Sequence, residues 1–312
     1  MLVCIVLLSA LLFFGCGPQR SADSASAGGG QKVSVTDDMG RDVQVPFAPK
    51  RIVVLSASFL EPLHAVGGDV VGRPDSRTNM PDFARDAASV GEVYRIDMEK
   101  VLSLQPDLVI VNKGMNEKLL QSLETNHIPA IVVDMKSYED VKRGIALFAS
   151  ITGEKEKGDA LIQDMEQRIQ AVQSKLPKDG AKRVAILHST AQGLSVQLDG
   201  SIAGSVAKML GFENVAASIK PLENNPDAAP YSIETLVAQN PEILFITSMG
   251  RLEDIKKSME ETIQGNPAWS TIPAIQKKQY YYLPQNLFLL SPGIHYPEAV
   301  ESMAKLVYPG VF

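Results

Sequence analysis

Short apolar, β-branched runs alternate with amphipathic segments along most of the chain. The first run, residues 51–55, ends in Ser-Ala-Ser, and Leu60, Leu63 and Val66 follow at helical spacing. The same alternation recurs at residues 108–111, 117–126 and 130–133. Strand, helix and strand in this order predict a parallel sheet covered by helices. Before them, alternating residues around an Asp/Gly turn predict a small hairpin over residues 33–45.

A second series of the same kind begins at residue 183. Its predicted elements are, in order, a strand at 183–187, a helix at 202–210, strands at 243–246 and 280–283, and a terminal helix at 297–306. Between the two series the pattern is helical over residues 138–151, stopped by Gly153, and over 154–176, stopped by Pro177. A helix of that length spans about 30 Å and suits a connection between lobes.

These patterns predict an α/β protein with two Rossmann-like αβ lobes. Each lobe has a central parallel sheet, and one long backbone helix joins the lobes. The predicted boundaries are an amino-terminal lobe at 32–152, the connecting helix at 153–177 and a carboxyl-terminal lobe at 178–312.

The amino end has the composition of an export signal. Residues 2–14 are apolar apart from Cys4 and Ser9, which is too short a run to span a bilayer comfortably. It stops at Gly15-Cys16, and a Ser/Ala/Gly-rich stretch follows. This resembles a bacterial lipoprotein signal, with a signal peptide at 1–15, a flexible tether at 16–31 and a lipid on the thiol of Cys16. No Lys or Arg precedes the apolar run, so a plain secretory peptide is the alternative. Either reading predicts export, and the first also predicts a lipid anchor in the cell membrane, facing the periplasm or the cell exterior.

Composition excludes several classes of function. A net charge of −6 with no basic run excludes a nucleic-acid footprint. The signal carries Cys4, and Cys16 would be acylated, so no thiol remains for a disulfide or a nucleophile. No hydrolase elbow, zinc helix, phosphate loop or dinucleotide fingerprint is present, and we predict that the protein is not an enzyme.

One phrase occurs in both halves of the chain. Glu99 lies seven residues before Pro106, and Glu234 lies seven residues before Pro241; each Pro is followed by an acid and an apolar strand. Each phrase predicts a short helix with a Glu in its first turn, where the helix dipole favours negative charge. Matched acids on two lobes would suit a two-fold pair of Arg pockets. The alternative is that both are ordinary helix-start acids.

These phrases, with residues 51–68 and the long helix, resemble the siderophore-, heme- and cobalamin-binding class of ABC importer solute-binding proteins over about residues 33–312. The resemblance implies a monomer that holds a metal chelate in the cleft between its lobes, with no intrinsic cofactor. It also implies that Glu99 and Glu234 dock onto Arg residues of a permease dimer, which works with its ATPase. A lipoprotein of the same fold without a transport role is an alternative.

Parallel αβ lobes place ligands at the carboxyl ends of their strands. The candidate ligand-binding residues near such ends are Arg77, Met80, Tyr94, Arg95, His188, Met249, Arg251 and His295. Among them Tyr94 and His295 are possible iron ligands, and the arginines can pair with carboxylates or catecholates. The structural alternatives are a satisfied buried imidazole for His188 and gap-filling for the two methionines.

The chelate predicted first is a ferric siderophore or heme. A corrinoid such as cobalamin is the alternative, because only 6% of the residues are aromatic and cobalamin binders of the class line the cleft with aromatic side chains. A free metal ion would need three or four converging His and acidic residues, and the chain has four scattered histidines.

Overall fold

The computed structural model describes residues 31–76, 80–178, 180–190 and 193–312. The strands are β1 (Lys32–Thr36), β2 (Asp42–Pro46), β3 (Ile52–Val54), β4 (Val70–Asp75), β5 (Ala88–Glu92), β6 (Arg95–Ile96), β7 (Leu108–Asn112), β8 (Ala130–Val133), β9 (Arg183–Thr190), β10 (Gly193–Gln197), β11 (Glu213–Asn214), β12 (Ala228–Pro230), β13 (Ile243–Ser248) and β14 (Tyr280–Tyr282). The helices are α1 (Leu60–Ala65), α2 (Met98–Ser103), α3 (Leu120–Thr125), α4 (Tyr138–Thr152), α5 (Lys155–Gln173), α6 (Ile202–Met209), α7 (Ile233–Gln239), α8 (Leu252–Gly265), α9 (Pro273–Gln276), α10 (Gln285–Phe288) and α11 (Tyr296–Val307).

The predicted signal peptide at 1–15, Cys16 and Arg77 lie outside the described residues, as does the tether up to residue 30. Within the described ranges, no helix combines the length and apolarity needed to cross a membrane.

The predicted amino-terminal hairpin is confirmed as β1 paired with β2. Asp37 in its turn is 5% exposed and accepts hydrogen bonds from the backbone N–H of Met39, Arg41 and Val132 and from the guanidinium of Arg41. Burial alone would raise the pKa of Asp37, but these hydrogen bonds together lower it. One carboxylate therefore fixes the hairpin to β8 of the neighbouring sheet.

The sheet of the amino-terminal half has the order β6-β5-β4-β3-β7-β8, with all neighbours parallel except the β5–β6 pair. All three residues of β3 are buried, as expected for a strand covered on both faces. The chain runs from β3 outward to β4 and β5 and then returns to the other side of β3 as β7. This reversal of strand order leaves a crevice at the carboxyl end of β3, the usual ligand position in such sheets.

The sheet of the carboxyl-terminal half is parallel at its centre and antiparallel at one edge. Strands β11 and β13 pair parallel with β9, and β14 pairs parallel with β13. Strand β10 pairs antiparallel with both β9 and β12. The prediction of central parallel sheets is therefore confirmed, with an antiparallel hairpin edge that the sequence pattern did not predict.

The long helix is α5, which runs over 19 residues and is shorter at both ends than the predicted 154–176. It follows α4, which begins with a capping box between Ser137 and Asp140 and ends at Gly153 in the left-handed conformation, where a glycine carries no Cβ penalty. Both helices contribute to a hydrophobic core that also contains β3, α1, β9, α6 and α11.

This core is continuous between the two halves, and residues 31–312 form one compact unit. Tyr138 of α4 and Tyr296 of α11, for example, have ring centroids 5.4 Å apart. The division into lobes at residues 152 and 178 stays a prediction.

Candidate ligand-binding cleft

A cavity of about 480 Å³, hereafter the central cleft, lies between the two halves at the crevice beside β3. Its volume is within the range of small-molecule sites. The amino-terminal half contributes the segment from the end of β3 into α1 and part of the loop between β4 and β5, and the carboxyl-terminal half contributes the segment from α10 into the first turn of α11. The lining residues are Ala57, Ser58, Glu61, Met80, Pro81, Asn286, Leu287, Ser291, Pro292, Gly293, His295 and Glu298.

Local backbone geometry brings the two lining segments together. Ser56 caps the short helical turn after β3 by accepting a hydrogen bond from the backbone N–H of Ser58 at 3.3 Å. Opposite it, Gly293 has a φ of +54°, and a Cβ there would lie 3.2 Å from Cγ of Pro62 in α1. A larger residue at 293 would therefore press against α1 and adopt a strained backbone, so glycine allows the close approach.

An ion-pair network crosses the central cleft. Nε2 of His295 lies 3.0 Å from Oε2 of Glu61, and its Nδ1 lies 3.4 Å from Oε1 of Glu298. The hydrogen bond to Glu61 raises the pKa of His295 from 6.5 to about 9, with burial opposing the shift and Glu298 adding to it. His295 is therefore an imidazolium at neutral pH, with both ring nitrogens donating to carboxylates.

Glu298 connects this network to the long helix. Its Oε1 also accepts a hydrogen bond from the guanidinium of Arg168 in α5 at 2.9 Å. Burial alone would raise the pKa of Glu298, but the hydrogen bonds from Arg168, from its own backbone N–H and from His295, together with the charge of Arg168, lower it. Its Oε2 is buried and has no hydrogen-bond partner among the described residues. The carboxylate thus keeps an unused acceptor beside the central cleft.

Two further polar contacts join the halves near the same core. Nζ of Lys136, before α4, lies 3.0 Å from Oδ2 of Asp227 in the carboxyl-terminal half. The hydroxyl of Tyr296 donates to the carbonyl of Lys136 at 2.8 Å. Ionic and hydrogen-bonding contacts therefore reinforce the continuous hydrophobic core between the halves.

Two of the candidate ligand residues, Met80 and His295, line the central cleft. Because both nitrogens of His295 are engaged by carboxylates, this arrangement does not favour the imidazole as an iron ligand. His188, at the carboxyl end of β9, is half-buried, with Nδ1 2.9 Å from Oγ1 of Thr247. Burial lowers the pKa of His188, which matches the alternative of a satisfied, neutral imidazole.

Four further candidates within the described residues, Tyr94, Arg95, Met249 and Arg251, lie at strand ends but are not among the described residues that line the central cleft. Tyr94 and Met249 are 67% and 57% exposed. Arg95 lies 3.6 Å from Glu92, and Arg251 lies 3.7 Å from Asp254, both as exposed ion pairs. Ligand contact by these four residues, and iron ligation by Tyr94, stay predictions. Within the described ranges, no group of three or more His, Cys, Asp or Glu residues has the geometry of a metal site.

Sequence reasoning missed Glu61, Glu298 and Arg168, which hold His295 in place. Glu298 lies three residues after His295 at a helix start, a spacing that puts two side chains on one face and could have indicated the pair. Nothing in the sequence pattern indicates Glu61 or Arg168, because they approach from other elements.

The two repeated phrases form matching helix starts. Asp97 caps α2 and Ser232 caps α7, and Glu99 and Glu234 are exposed in the first turns of these helices. The backbone N–H of Glu234 and the hydroxyl of Ser232, at 2.9 Å, lower the pKa of the Glu234 carboxyl. Both acids are thus accessible, and Glu234 is stabilised as a carboxylate.

Comparison with known proteins places this geometry in a family. The model of the family described as "Periplasmic binding protein" matches residues 52–287. The Fe(3+)-citrate-binding protein YfmC of Bacillus subtilis is 24% identical over 316 residues, covering 97% of this chain and 95% of the relative.

Solved structures of other proteins have a similar fold. An ABC transporter substrate-binding protein from Listeria monocytogenes superposes with a TM-score of 0.73 at 25% identity, covering 83% of this chain and 99% of that one. Staphylococcus aureus IsdE complexed with heme superposes with a TM-score of 0.73 at 21% identity, covering 83% of this chain and 98% of that one. The chain belongs to the periplasmic binding protein family.

Proposed function

We propose that this member of the periplasmic binding protein family captures an iron chelate in the central cleft and delivers it to an ABC importer. The observation that carries the proposal is the cleft itself, because it has the volume of a small-molecule site and residues of both halves line it. Relatives and structural neighbours named for Fe(3+)-citrate and heme support an iron chelate as the cargo.

Delivery requires that the protein hold its ligand and then release it at the membrane. The core and the ion pairs that join the halves limit their relative motion to a small hinge closure. Glu99 and Glu234 dock onto Arg pockets of the two permease subunits, and opening driven by the ATPase releases the chelate. The protein acts as a monomer in this scheme and has no intrinsic cofactor.

The same scheme places the protein outside the cytoplasm. The thiol of Cys16 carries the lipid, and the Ser/Ala/Gly-rich stretch after it tethers the binding unit to the membrane. Names of relatives that include the term lipoprotein support this anchor.

The first test is a titration of the full chain, purified in detergent, with hemin, ferric citrate, ferric siderophores and cyanocobalamin by calorimetry. Hemin is also followed by visible absorbance, where a saturable shift of the Soret band at one equivalent indicates heme as the ligand. Saturable binding of an iron chelate supports the proposal. Binding of none of these ligands contradicts it, and binding of cyanocobalamin alone moves the cargo to corrinoids.

A variant that fills the cavity tests the location of the site. Asn286 lines the central cleft and is exposed, so Asn286→Trp fills the space without disturbing the core. We expect a loss of affinity of at least about tenfold, while Gln121→Trp, at an exposed position of α3, binds as the unmodified protein does. Unchanged affinity in Asn286→Trp would place the ligand elsewhere.

A further inference from the structure

The helix of each repeated phrase is joined at its carboxyl-terminal end to a central strand of the neighbouring sheet. In the amino-terminal half, Arg51 directly precedes β3. Its guanidinium donates to the carbonyl of Leu104, the C-cap residue of α2, at 2.6 Å and to that of Gln105 at 3.2 Å. Its backbone N–H donates to Oδ1 of Asp107 at 2.9 Å, and its carbonyl accepts from the backbone N–H of Asp107 at 3.1 Å. One arginine therefore ties the end of α2 to the start of β3.

The carboxyl-terminal half repeats this arrangement with different residues. Arg183 is the first residue of β9, and its Nη2 donates to the carbonyl of Gln239, the last residue of α7, at 2.7 Å. Its backbone N–H donates to Oε1 of Glu242 at 3.4 Å, and its carbonyl accepts from the backbone N–H of Glu242 at 2.8 Å. We call each set an arginine clamp, formed by Arg51 with Asp107 in one half and by Arg183 with Glu242 in the other.

The correspondence extends to the backbone conformation and to the strand register. Gln105 and Asn240, which precede the prolines of the two phrases, have φ angles of +46° and +53°. In each half the residue after the arginine pairs with the residue after the acid, in parallel strands. The paired residues are Ile52 with Leu108 and Val184 with Ile243. The two helices therefore leave their sheets by the same local geometry, and both carry an exposed Glu in the first turn.

The ends of α2 and α7 decide where these helices point. With six and seven residues, they are too short to be stable helices by themselves. Asp97 and Ser232 cap their starts, and the arginine clamps hold their carboxyl-terminal ends. Because a helix of six residues is about 9 Å long, a tilt of about 20° around its clamped end would move the first turn by about 3 Å. The clamps therefore control the positions of Glu99 and Glu234.

We infer that Arg51 and Arg183 are positioning residues for delivery, which hold Glu99 and Glu234 where a partner can contact both acids at once. This inference rests on the proposed function, in which these two acids contact the permease. Neither arginine is among the described residues that line the central cleft. Chelate affinity is therefore independent of the clamps, whereas transfer of the chelate to the permease depends on them.

The test compares uptake with chelate affinity in Arg51→Met, Arg183→Met and the double variant. Cells that make each variant in place of the unmodified chain receive radioactive iron as ferric citrate, hemin or ferrioxamine B. We expect each single variant to lower uptake at least about threefold and the double variant about tenfold, because free-energy effects in separate halves add. Calorimetry with the same probes should give unchanged affinities. Arg143→Met is the matched control, since its guanidinium contacts Asp38 and Asp140 and neither clamped helix.

Hydrogen exchange distinguishes positioning from a general loss of stability. We expect Arg51→Met to speed amide exchange in α2 but not in α7, and Arg183→Met to do the reverse, so each half serves as the control for the other. Faster exchange throughout the chain would overturn the positioning role. Arg51→Lys and Arg183→Lys keep a charged donor near the helix ends and should retain more uptake than the methionine variants. They carry the test if a methionine variant does not fold.

The outcomes separate this inference from the proposed function. Unchanged uptake in a folded double variant overturns the role of the clamps. If charge reversal of Glu99 and Glu234 also leaves uptake unchanged, docking through these acids is wrong as well. If cells with the unmodified chain take up none of the three probes, the proposed function itself is contradicted.

Discussion

Glu61 and His295 are separated by 234 residues in the sequence, yet Oε2 of the first and Nε2 of the second are 3.0 Å apart across the central cleft. The contact joins α1 of the amino-terminal half to the segment that begins α11. Because Glu298 approaches the other ring nitrogen, the imidazolium lies between two carboxylates from opposite halves.

The pKa values of His295 and His188 should be shifted in opposite directions from the ordinary value of 6.5. Pairing with Glu61 raises the pKa of His295 to about 9, and burial lowers the pKa of His188 below 6.5. We expect the two imidazole C–H signals to titrate in these separate ranges in a proton NMR titration, assigned with His295→Gln and His188→Gln. Titration of both near pH 6.5 would mean that neither environment persists in solution.

The ion pair should stabilise the protein only while His295 is protonated. Since the folded-state pKa is raised, the contribution is complete below pH 6.5 and disappears as the pH rises through about 9. Both side chains are about two-fifths exposed, so screening limits the contribution to about 1 kcal/mol. A double-mutant cycle of Glu61→Gln and His295→Gln, followed by urea unfolding, should give this coupling at pH 6 and none at pH 10. A coupling energy that is independent of pH would exclude the ionic origin.

Asp37→Asn should lower the free energy of unfolding by about 3 kcal/mol, because an amide N–H₂ would face the N–H donors of Arg41 and Val132. The lowered pKa of Asp37 means that its contribution is present above pH 3.8 and is lost as the pH falls below it. Asp42→Asn is the control, since its carboxylate is exposed and the amide can still accept from the hydroxyl of Thr36. Equal unfolding free energies of the two variants would show that burial of Asp37 is unimportant.

Gly204→Ala should destabilise the protein although alanine favours helices. A Cβ at this position of α6 would collide with the backbone carbonyl oxygen of Leu198 and lie 2.8 Å from Cα of Asp199, and neither can move freely. We expect a loss of about 2 kcal/mol in chemical unfolding. Gly265→Ala, at the end of α8 with no neighbour within 4 Å, should instead stabilise by about 0.5 kcal/mol. The same sign for both variants would contradict the proposed collision.

Charge reversal of both Glu99 and Glu234 to Lys should abolish uptake while leaving chelate affinity unchanged, since both acids are exposed at helix starts away from the central cleft. Transport of the radiolabelled chelate by cells measures the first property, and calorimetry measures the second. The control is the double variant Glu156→Lys and Glu260→Lys, which changes the charge equally at other exposed helix positions. Uptake that survives the reversal would mean that the docking assignment is wrong.

The sequence predicted the buried elements of this fold well. β8 matches its prediction, and α4 extends one residue beyond the predicted 138–151, because continuous apolar runs and a glycine stop are strong local signals. The helix α8 was not predicted. Only Ile255 and Met259 of its 14 residues are buried, so its apolar stripe is weak.

The central cleft was harder to predict than the fold. Two of the residues predicted from strand-end positions, Met80 and His295, line the cavity, whereas ligand binding there stays a prediction. The partners of His295 arise from tertiary packing, since Glu61 comes from α1 and Arg168 from α5. No local pattern encodes such contacts, and the charge of the cleft therefore follows only from the assembled structure.

The continuous core also has a consequence for how the chain reaches its folded state. Leu60 and Leu63 of α1 share one hydrophobic cluster with Val300 and Met303 of α11, near the opposite end of the chain. Because the chain is synthesised from its amino end, the apolar surface of the first half that packs against α11 stays exposed to water until that helix has been made. The amino-terminal half therefore completes its core only when the last helix packs against it, and a chain that ends before α11 would leave this apolar surface exposed.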